Sequence, residues 1–479
     1  MRKLQSSALF AAFVCLFAGH NLYAMAVDWA GTYRFEYVEV DKTYLSSDPG
    51  GRKSYFLNHL NLSPKIIAAD GINVVANFEV LPSQQYPNSQ LGQNFGTGMG
   101  TAGGESSTAS TNQNSSSLQV TQLYVNVNHE YGALLAGRTP LHFGMGITQN
   151  AGNGLFDHWS NVHDVVGYKF LIGNLSIMPM IGKPYRESFA QGSETGEMIW
   201  DILYTNPETE STFGVFHQTR TSSISGNDAG KVFQRVYSGA TTTGGWSTTH
   251  TNVLLGRGWE SFKFKLEAGF NSGNTGISTS TGEAIKLNGY GIAMELDFPR
   301  PESKYHWTVR TGIASGDNPK TEAFEGYFFN RNYDVAFLMF NHPMGKYDMF
   351  RTGLQRQGDV TCTTAPCSAY ANDRSADEET ISNAIYFSPK MSYSMGDKWE
   401  FLSSLTWAQL QTNPSATFDD VSKDVGFEWD LGFQYKPQEK IRWLTEVGML
   451  FPGAAWQEGG ANRDHAFNLG IQTKAAISF

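Results

Sequence analysis

Phe467-Asn-Leu-Gly-Ile-Gln-Thr-Lys-Ala-Ala-Ile-Ser-Phe479 closes the chain. Every second residue (Phe467, Leu469, Ile471, Thr473, Ala475, Ile477 and Phe479) forms an almost wholly apolar set. Between them stand Asn468, Gly470, Gln472, Lys474, Ala476 and Ser478, which are small or polar. A period of two is the mark of a β-strand with two unlike faces. The pattern recurs upstream. Phe262, Phe264, Leu266, Ala268 and Phe270 oppose Lys263, Lys265, Glu267, Gly269 and Asn271. Val425, Phe427, Trp429, Leu431, Phe433 and Tyr435 oppose Glu428, Asp430, Gln434 and Lys436.

Eighteen such segments are expected, from Asp28–Val40 to the terminal stretch. Their connections alternate. Those near Asp70, His129, Gly173, Pro207, Trp259, Pro299, Gly396 and Pro437 are tight, whereas those between are long. Pro82–Ser117 is low-complexity, rich in Gly, Ser, Thr, Asn and Gln, and cannot build a core. Gly316–Thr380 is the longest connection and contains an apolar run, Tyr333–Phe340, that could be a strand of its own. A soluble sandwich has no reason to sort its loops by parity. An up-and-down transmembrane barrel with short periplasmic turns and long outer loops does. Backbone groups in hydrocarbon must be paired, so the sheet must close on itself. The expected fold is therefore all-β: one antiparallel barrel over residues 27–479, with outer loop 82–117 and an outer or plug loop 316–380. Trp307, Trp399, Trp407, Tyr435 and Trp443 are candidates for the aromatic girdles.

The other end sets the compartment. Arg2 and Lys3, the apolar run Ala8–Ala18 and Ala24-Met25-Ala26 read as a secretory signal peptide over residues 1–26. An uncleaved anchor helix is the rival reading, but the run is short for a bilayer. Past the leader only Cys362 and Cys367 remain, most simply an extracellular disulfide. A metal site there lacks clustered partners. Gly is abundant at 50 residues, aromatics make up 13% and charged residues 17%, the balance of a barrel whose lumen and loops dilute its apolar face. Without Arg2 and Lys3, 33 basic residues stand against 45 acidic ones, a net charge of −12 that disfavours a nucleic-acid partner.

No enzyme motif stands out. Gly96–Gly100 lies in low-complexity sequence, and Gly-x-Ser-x-Gly is absent. His158 and His163, near Asp157 and Asp164, read as polar loop groups rather than as a catalytic or metal centre. No cofactor is expected. The inward charges carry more information. Arg34, Lys65, Arg138, Lys263, Lys265, Arg310, Arg442 and Lys474 are expected to line a pore. So are Glu36, Glu79, Glu267, Glu295, Asp297, Glu428, Asp430 and Glu446. They solvate a wet interior, pair across strands, and set a field that sorts permeants by charge.

The terminal stretch resembles the C-terminal signature of bacterial outer-membrane β-barrels. The resemblance implies that Phe479 is an assembly signal read by barrel assembly machinery in a Gram-negative outer membrane. Gly137-Arg138-Thr139-Pro140 with His142-Phe143-Gly144-Met145-Gly146 resembles a segment of alginate-export-type barrels. Ala314-Ser315-Gly316-Asp317-Asn318-Pro319 with Asn332-Tyr333-Asp334 resembles a second. In that family a basic lumen passes an acidic polysaccharide, and here the inward charges are mixed. The expectation is a porin-like channel for passive diffusion of small hydrophilic solutes, set in lipid and lipopolysaccharide. A glycan exporter with periplasmic partners and a closed surface or adhesion barrel are the alternatives.

Overall fold

The computed structural model describes residues 26–43, 45, 52–80, 118–186, 194–222, 241–242, 245–278, 282–299, 302–318, 320–342, 344, 380–414, 421–457 and 465–479. Residues 1–25 of the expected leader, the low-complexity loop 82–117, and Cys362 and Cys367 lie outside them.

The strands are β1 (Ala26–Val40), β2 (Lys53–Ala69), β3 (Ile72–Val80), β4 (Leu118–His129), β5 (Gly132–Pro140), β6 (Val162–Ile172), β7 (Leu175–Arg186), β8 (Glu194–Asn206), β9 (Ser211–Ser222) and β10 (Thr241–Thr242). They continue as β11 (Trp246–Gly258), β12 (Lys263–Ser278), β13 (Ala284–Phe298), β14 (Tyr305–Ala314), β15 (Ala323–Phe324), β16 (Ala384–Met395), β17 (Trp399–Leu410), β18 (Asp424–Gln438), β19 (Ile441–Pro452) and β20 (Asn468–Ser478). Two of the twenty, β10 and β15, are two-residue pieces; the other eighteen form the wall. Each wall strand pairs antiparallel with the next, β9 passing to β11 and β14 to β16. β20 returns to β1, from Thr32 opposite Ser478 to Val40 opposite Gly470. The sheet is a closed barrel with no free edge, so its ladder needs no water.

Alternation explains the two faces. On β18, Phe427, Trp429 and Phe433 are exposed outward, and Glu428 and Asp430 are buried inward. On β17, Trp399 and Trp407 bracket Leu405 on the outward side, one girdle at each end of an apolar belt. Tight turns sit where the sequence has turn residues: Gly71 takes φ +73°, Gly173 +58° and Gly396 +73°. Pro64 has no N–H to give. Its strand keeps full pairing with β1, while the ladder to β3 skips Ser63 and Pro64 without losing register. Phe262–Asn271 runs on to Ser278, because its ladder to β13 and β10 continues past the apolar belt.

Tyr333–Phe340 is not a strand. Its residues are irregular, and Val335, Ala336, Phe337, Leu338, Met339 and Phe340 are all buried. They pack with Val38 and Val40 of β1, Ala408 and Leu410 of β17, Val425 of β18 and Leu450 of β19. A continuous apolar run fits a buried strand or a plug equally well on periodicity alone. Here the surrounding wall is already complete, so the run fills the lumen instead.

Candidate functional site: the lumen and its two inward loops

Two connections fold into the barrel. The first, residues 141–161, sets Leu141 and Phe143 against Val165, Met180, Ile199, Phe216 and Leu254 of the wall. The second, residues 315–342, carries the apolar run. Loop meets loop through Asn332, whose Oδ1 accepts the N–H groups of His158 at 3.2 Å and Trp159 at 3.1 Å. Tyr327 Oη lies 2.8 Å from Thr148 Oγ1.

Wall carboxylates hold both loops by their backbones. Glu267 of β12 accepts Met145 N–H at 2.6 Å and is also bonded by Asn252. Glu428 of β18 accepts Leu338 N–H and Met339 N–H, each at 2.6 Å, one on each oxygen. Such charge-assisted bonds are about twice as strong as neutral ones, and they satisfy amides that a loop cannot pair for itself. Glycine makes room for the side chains. Gly269 and Gly291 lie opposite each other on β12 and β13. A Cβ on Gly269 would stand 1.9 Å from Tyr327 Oη, and one on Gly291 2.5 Å from the Tyr327 and Phe329 rings.

The first loop also ties to β1. Arg34 Nη1 donates to Asp157 O at 2.6 Å, Arg34 pairs with Glu36 at 2.5 Å, and His158 Nε2 meets Glu36 at 2.8 Å. His163 is elsewhere, between Glu197 at 3.0 Å and Gln149 at 3.2 Å. The two histidines thus serve separate networks. Among the described residues, no three His, Cys, Asp or Glu gather as metal ligands.

Most of the expected pore-lining residues share the inward face: Arg34, Glu36, Lys65, Glu79, Lys263, Lys265, Glu267, Glu295, Asp297, Arg310, Glu428, Asp430, Arg442, Glu446 and Lys474. Arg138 departs from the set. It stands opposite outward Leu123 on one side and Asp164 on the other, and it grips Asp164 with two bonds of 2.8 Å. β5 is built of small and aliphatic residues on both faces, so its alternation was a poor guide to direction.

The inward acids are mostly committed. Besides Glu267 and Glu428, Glu295 pairs with Arg310 at 2.9 Å, Glu79 lies 3.6 Å from His59, and Glu446 accepts from Gln472 at 2.6 Å. By contrast, the side chains of Lys65, Lys265, Lys390 and Arg442 make no hydrogen bond or ion pair to a described residue. Lys474 faces the Phe156 ring at 5.9 Å. Sequence reasoning missed Lys390, which follows Pro389 on β16 and breaks no visible pattern. Between the loops and the wall lies a cavity of about 270 Å³, bordered by Glu36, His158, Arg310, Lys390, Glu446 and Lys474. Burial raises the loop carboxyl of Asp334, at its edge, to about 6 and that of Asp317, farther along the same loop, to about 7.

Solved structures show the same architecture. OccK9 (OpdG) of Pseudomonas aeruginosa matches at 10% identity over 95% of this chain and 98% of that one, with a TM-score of 0.51. OccAB3 of Acinetobacter baumannii matches at 8% identity over 95% and 99%, also at 0.51. The fold is that of an outer-membrane porin barrel. No family model and no curated protein matches the sequence.

Proposed function

We propose that the protein is an outer-membrane channel through which small hydrophilic solutes diffuse, with a preference for anions. The observation that carries the reading is the difference between the two signs of inward charge. The acids hold loops and cations, whereas the side chains of Lys390 and Lys474 border the cavity without a hydrogen bond or close ion pair, Lys474 across from Glu36, and the Arg442 side chain makes neither to a described residue. A charge that the protein does not neutralise is available to a permeant, and in a narrow, low-dielectric passage it counts for more than in bulk water. In this reading the outward belt meets lipid and lipopolysaccharide, and barrel assembly machinery recognises the Phe479 end. The test is planar-bilayer recording of purified protein under a salt gradient. Stepwise conductance with an anion-selective reversal potential is expected. Silence over many insertions favours the closed surface barrel, and cation selectivity overturns the assignment of sign.

A further inference from the structure

The apolar run inside the lumen is seated against two acids of one strand. Glu428 and Asp430 stand two residues apart on the inward face of β18, 0% and 5% exposed. Gly448 of β19 and Gly470 of β20 continue the Asp430 row across the wall. Phe337 and Leu338 fill the space that side chains would take there. A Cβ on Gly448 would lie 2.7 Å from Phe337 Cδ1, and one on Gly470 2.4 Å from Leu338 Cδ2.

The two acids are bonded differently. Each Glu428 oxygen accepts one amide, from Leu338 and from Met339, at 2.6 Å. Amide bonds that short mark a charged acceptor. Asp430 Oδ2 lies 3.4 Å from Phe337 N and 3.3 Å from Ser404 Oγ, long distances for a carboxylate. Asp430 Oδ1 is buried and accepts from no donor. That atom lies beside Glu428: a Cβ on Gly448 would stand 3.0 Å from Asp430 Oδ1 and 3.2 Å from Glu428 Oε1, and the two side chains are within hydrogen-bond reach of each other. A buried acceptor without a donor needs an explanation. A proton on Oδ1 supplies it, because the atom then donates to Glu428 instead of accepting.

Charge balance points the same way. β17 sets the neutral Ser404 and Thr406 opposite the pair, and β19 sets Gly448 and Leu450. The other charged groups that act on it, Asp334 of the loop and Glu446 of β19, are acids too. Arg310 is committed to Glu295, Lys390 and Lys474 border the cavity rather than the seat, and no cation pairs with Glu428 or Asp430 among the described residues. Two touching carboxyl groups, buried and without a cation, cannot both be ionised.

We propose that Glu428 and Asp430 hold one proton between them, carried on Asp430 Oδ1 and donated to Glu428, and that this shared proton fastens residues 337–340 to the wall. Glu428 keeps its charge for the two loop amides, and Asp430 serves as the donor that steadies it. The inference concerns how the segment is fixed, so it stands or falls apart from what the channel passes.

Two measurements on the folded barrel test it, with heat-modifiable migration on SDS gels to verify each variant. Infrared spectroscopy at neutral pH reads the proton. The C=O stretch of protonated carboxyl groups should lose the intensity of one group in Asp430→Asn. Undiminished intensity means that Asp430 carries no proton and overturns the pair. Hydrogen exchange of residues 333–340 reads the fastening. Asp430→Asn keeps a donor toward Glu428 and should protect these amides as the wild type does. Asp430→Leu has a similar size but no donor, and exchange should quicken severalfold; Asp430→Ala serves if the leucine variant does not fold. Equal protection in the wild type, Asp430→Asn and the donor-less variant overturns the fastening role, as does protection lost equally in Asp430→Asn and the donor-less variant.

Discussion

Glu267, projecting inward from β12, accepts the backbone N–H of Met145 at 2.6 Å, and so a wall strand fixes the position of a loop 122 residues earlier in the chain. Met145 lies between Gly144 and Gly146, whose φ values of +61° and +77° turn the backbone so that its amides point at the carboxylate. Glu267→Gln should loosen residues 141–161. Each bond to a charged group is worth about 1.5–3 kcal/mol, and the barrel ladder does not depend on it. Faster proteolysis within 141–161, unchanged heat-modifiable migration and a less ion-selective conductance are expected. An unchanged cleavage rate would mean that the loop is held by its apolar contacts alone.

The part played by Glu267 shows where sequence reading stops. The barrel itself was legible, because Phe264, Leu266, Ala268 and Phe270 alternate with Lys265, Glu267 and Gly269, and because long and short connections alternate with them. What an inward carboxylate faces was not legible. That depends on which loop folds over it, and loops have no period. Gly269 and Gly291 became informative only once the register set them opposite each other under Tyr327. Arg138 was misread for a related reason: Ala133, Leu134, Leu135 and Ala136 offer no contrast between faces.

Lys390 and Lys474 should dominate ion selectivity. Replacing both by Gln removes two inward charges from the cavity edge and leaves the acids in their present bonds. The ratio of anion to cation permeability, read from the reversal potential, should fall severalfold. A ratio that stays constant would assign selectivity to other cations, with Arg442 and Lys65 the next to test.

Asp334 gives a pH dependence with a defined sign. Its carboxyl accepts Ala336 N–H at 3.1 Å and Asn341 Nδ2 at 3.0 Å, yet burial still raises it to about 6. A carboxyl raised above its ordinary value binds its proton more tightly in the docked loop than in a released one. The loop is therefore best held in acid, and that advantage is lost as pH rises from about 4 to about 6. Hydrogen exchange of residues 333–342 should quicken over this window, after correction for intrinsic exchange, and Asp334→Asn should flatten the dependence. Protection that improves with rising pH would reverse the sign.

Leu405 tests the outward belt. It lies between Trp399 and Trp407 on the same face of β17, two residues from Trp407. Leu405→Arg should cost on the order of 2–4 kcal/mol of folding free energy in lipid if this is the bilayer midplane. An arginine at Arg138, near the rim, already stands on the same side and is satisfied by Asp164. Urea titration of refolded protein in vesicles measures the difference. A cost below about 1 kcal/mol would move Leu405 to an interface.

Phe479 and Gly31 close the barrel seam. Gly31 N donates to Phe479 O and Phe479 N to Gly31 O, each at 3.0 Å, a reciprocal pair that ties the last residue to the first strand. The ring covers Gly31: a Cβ there would lie 2.5 Å from Phe479 Cζ and 2.8 Å from Asn61 O. Removing Phe479 deletes both the end proposed to be recognised in assembly and the seam contact, whereas Gly31→Val leaves the end intact and spoils only its seat. Loss of Phe479 should lower the assembled, heat-modifiable protein in cells more than it lowers spontaneous refolding in vesicles. Gly31→Val should impair both, because its defect lies in the folded barrel. If the two variants behave alike in cells and in vesicles, the terminal residue acts only as a structural latch, and the assembly role assigned to it falls.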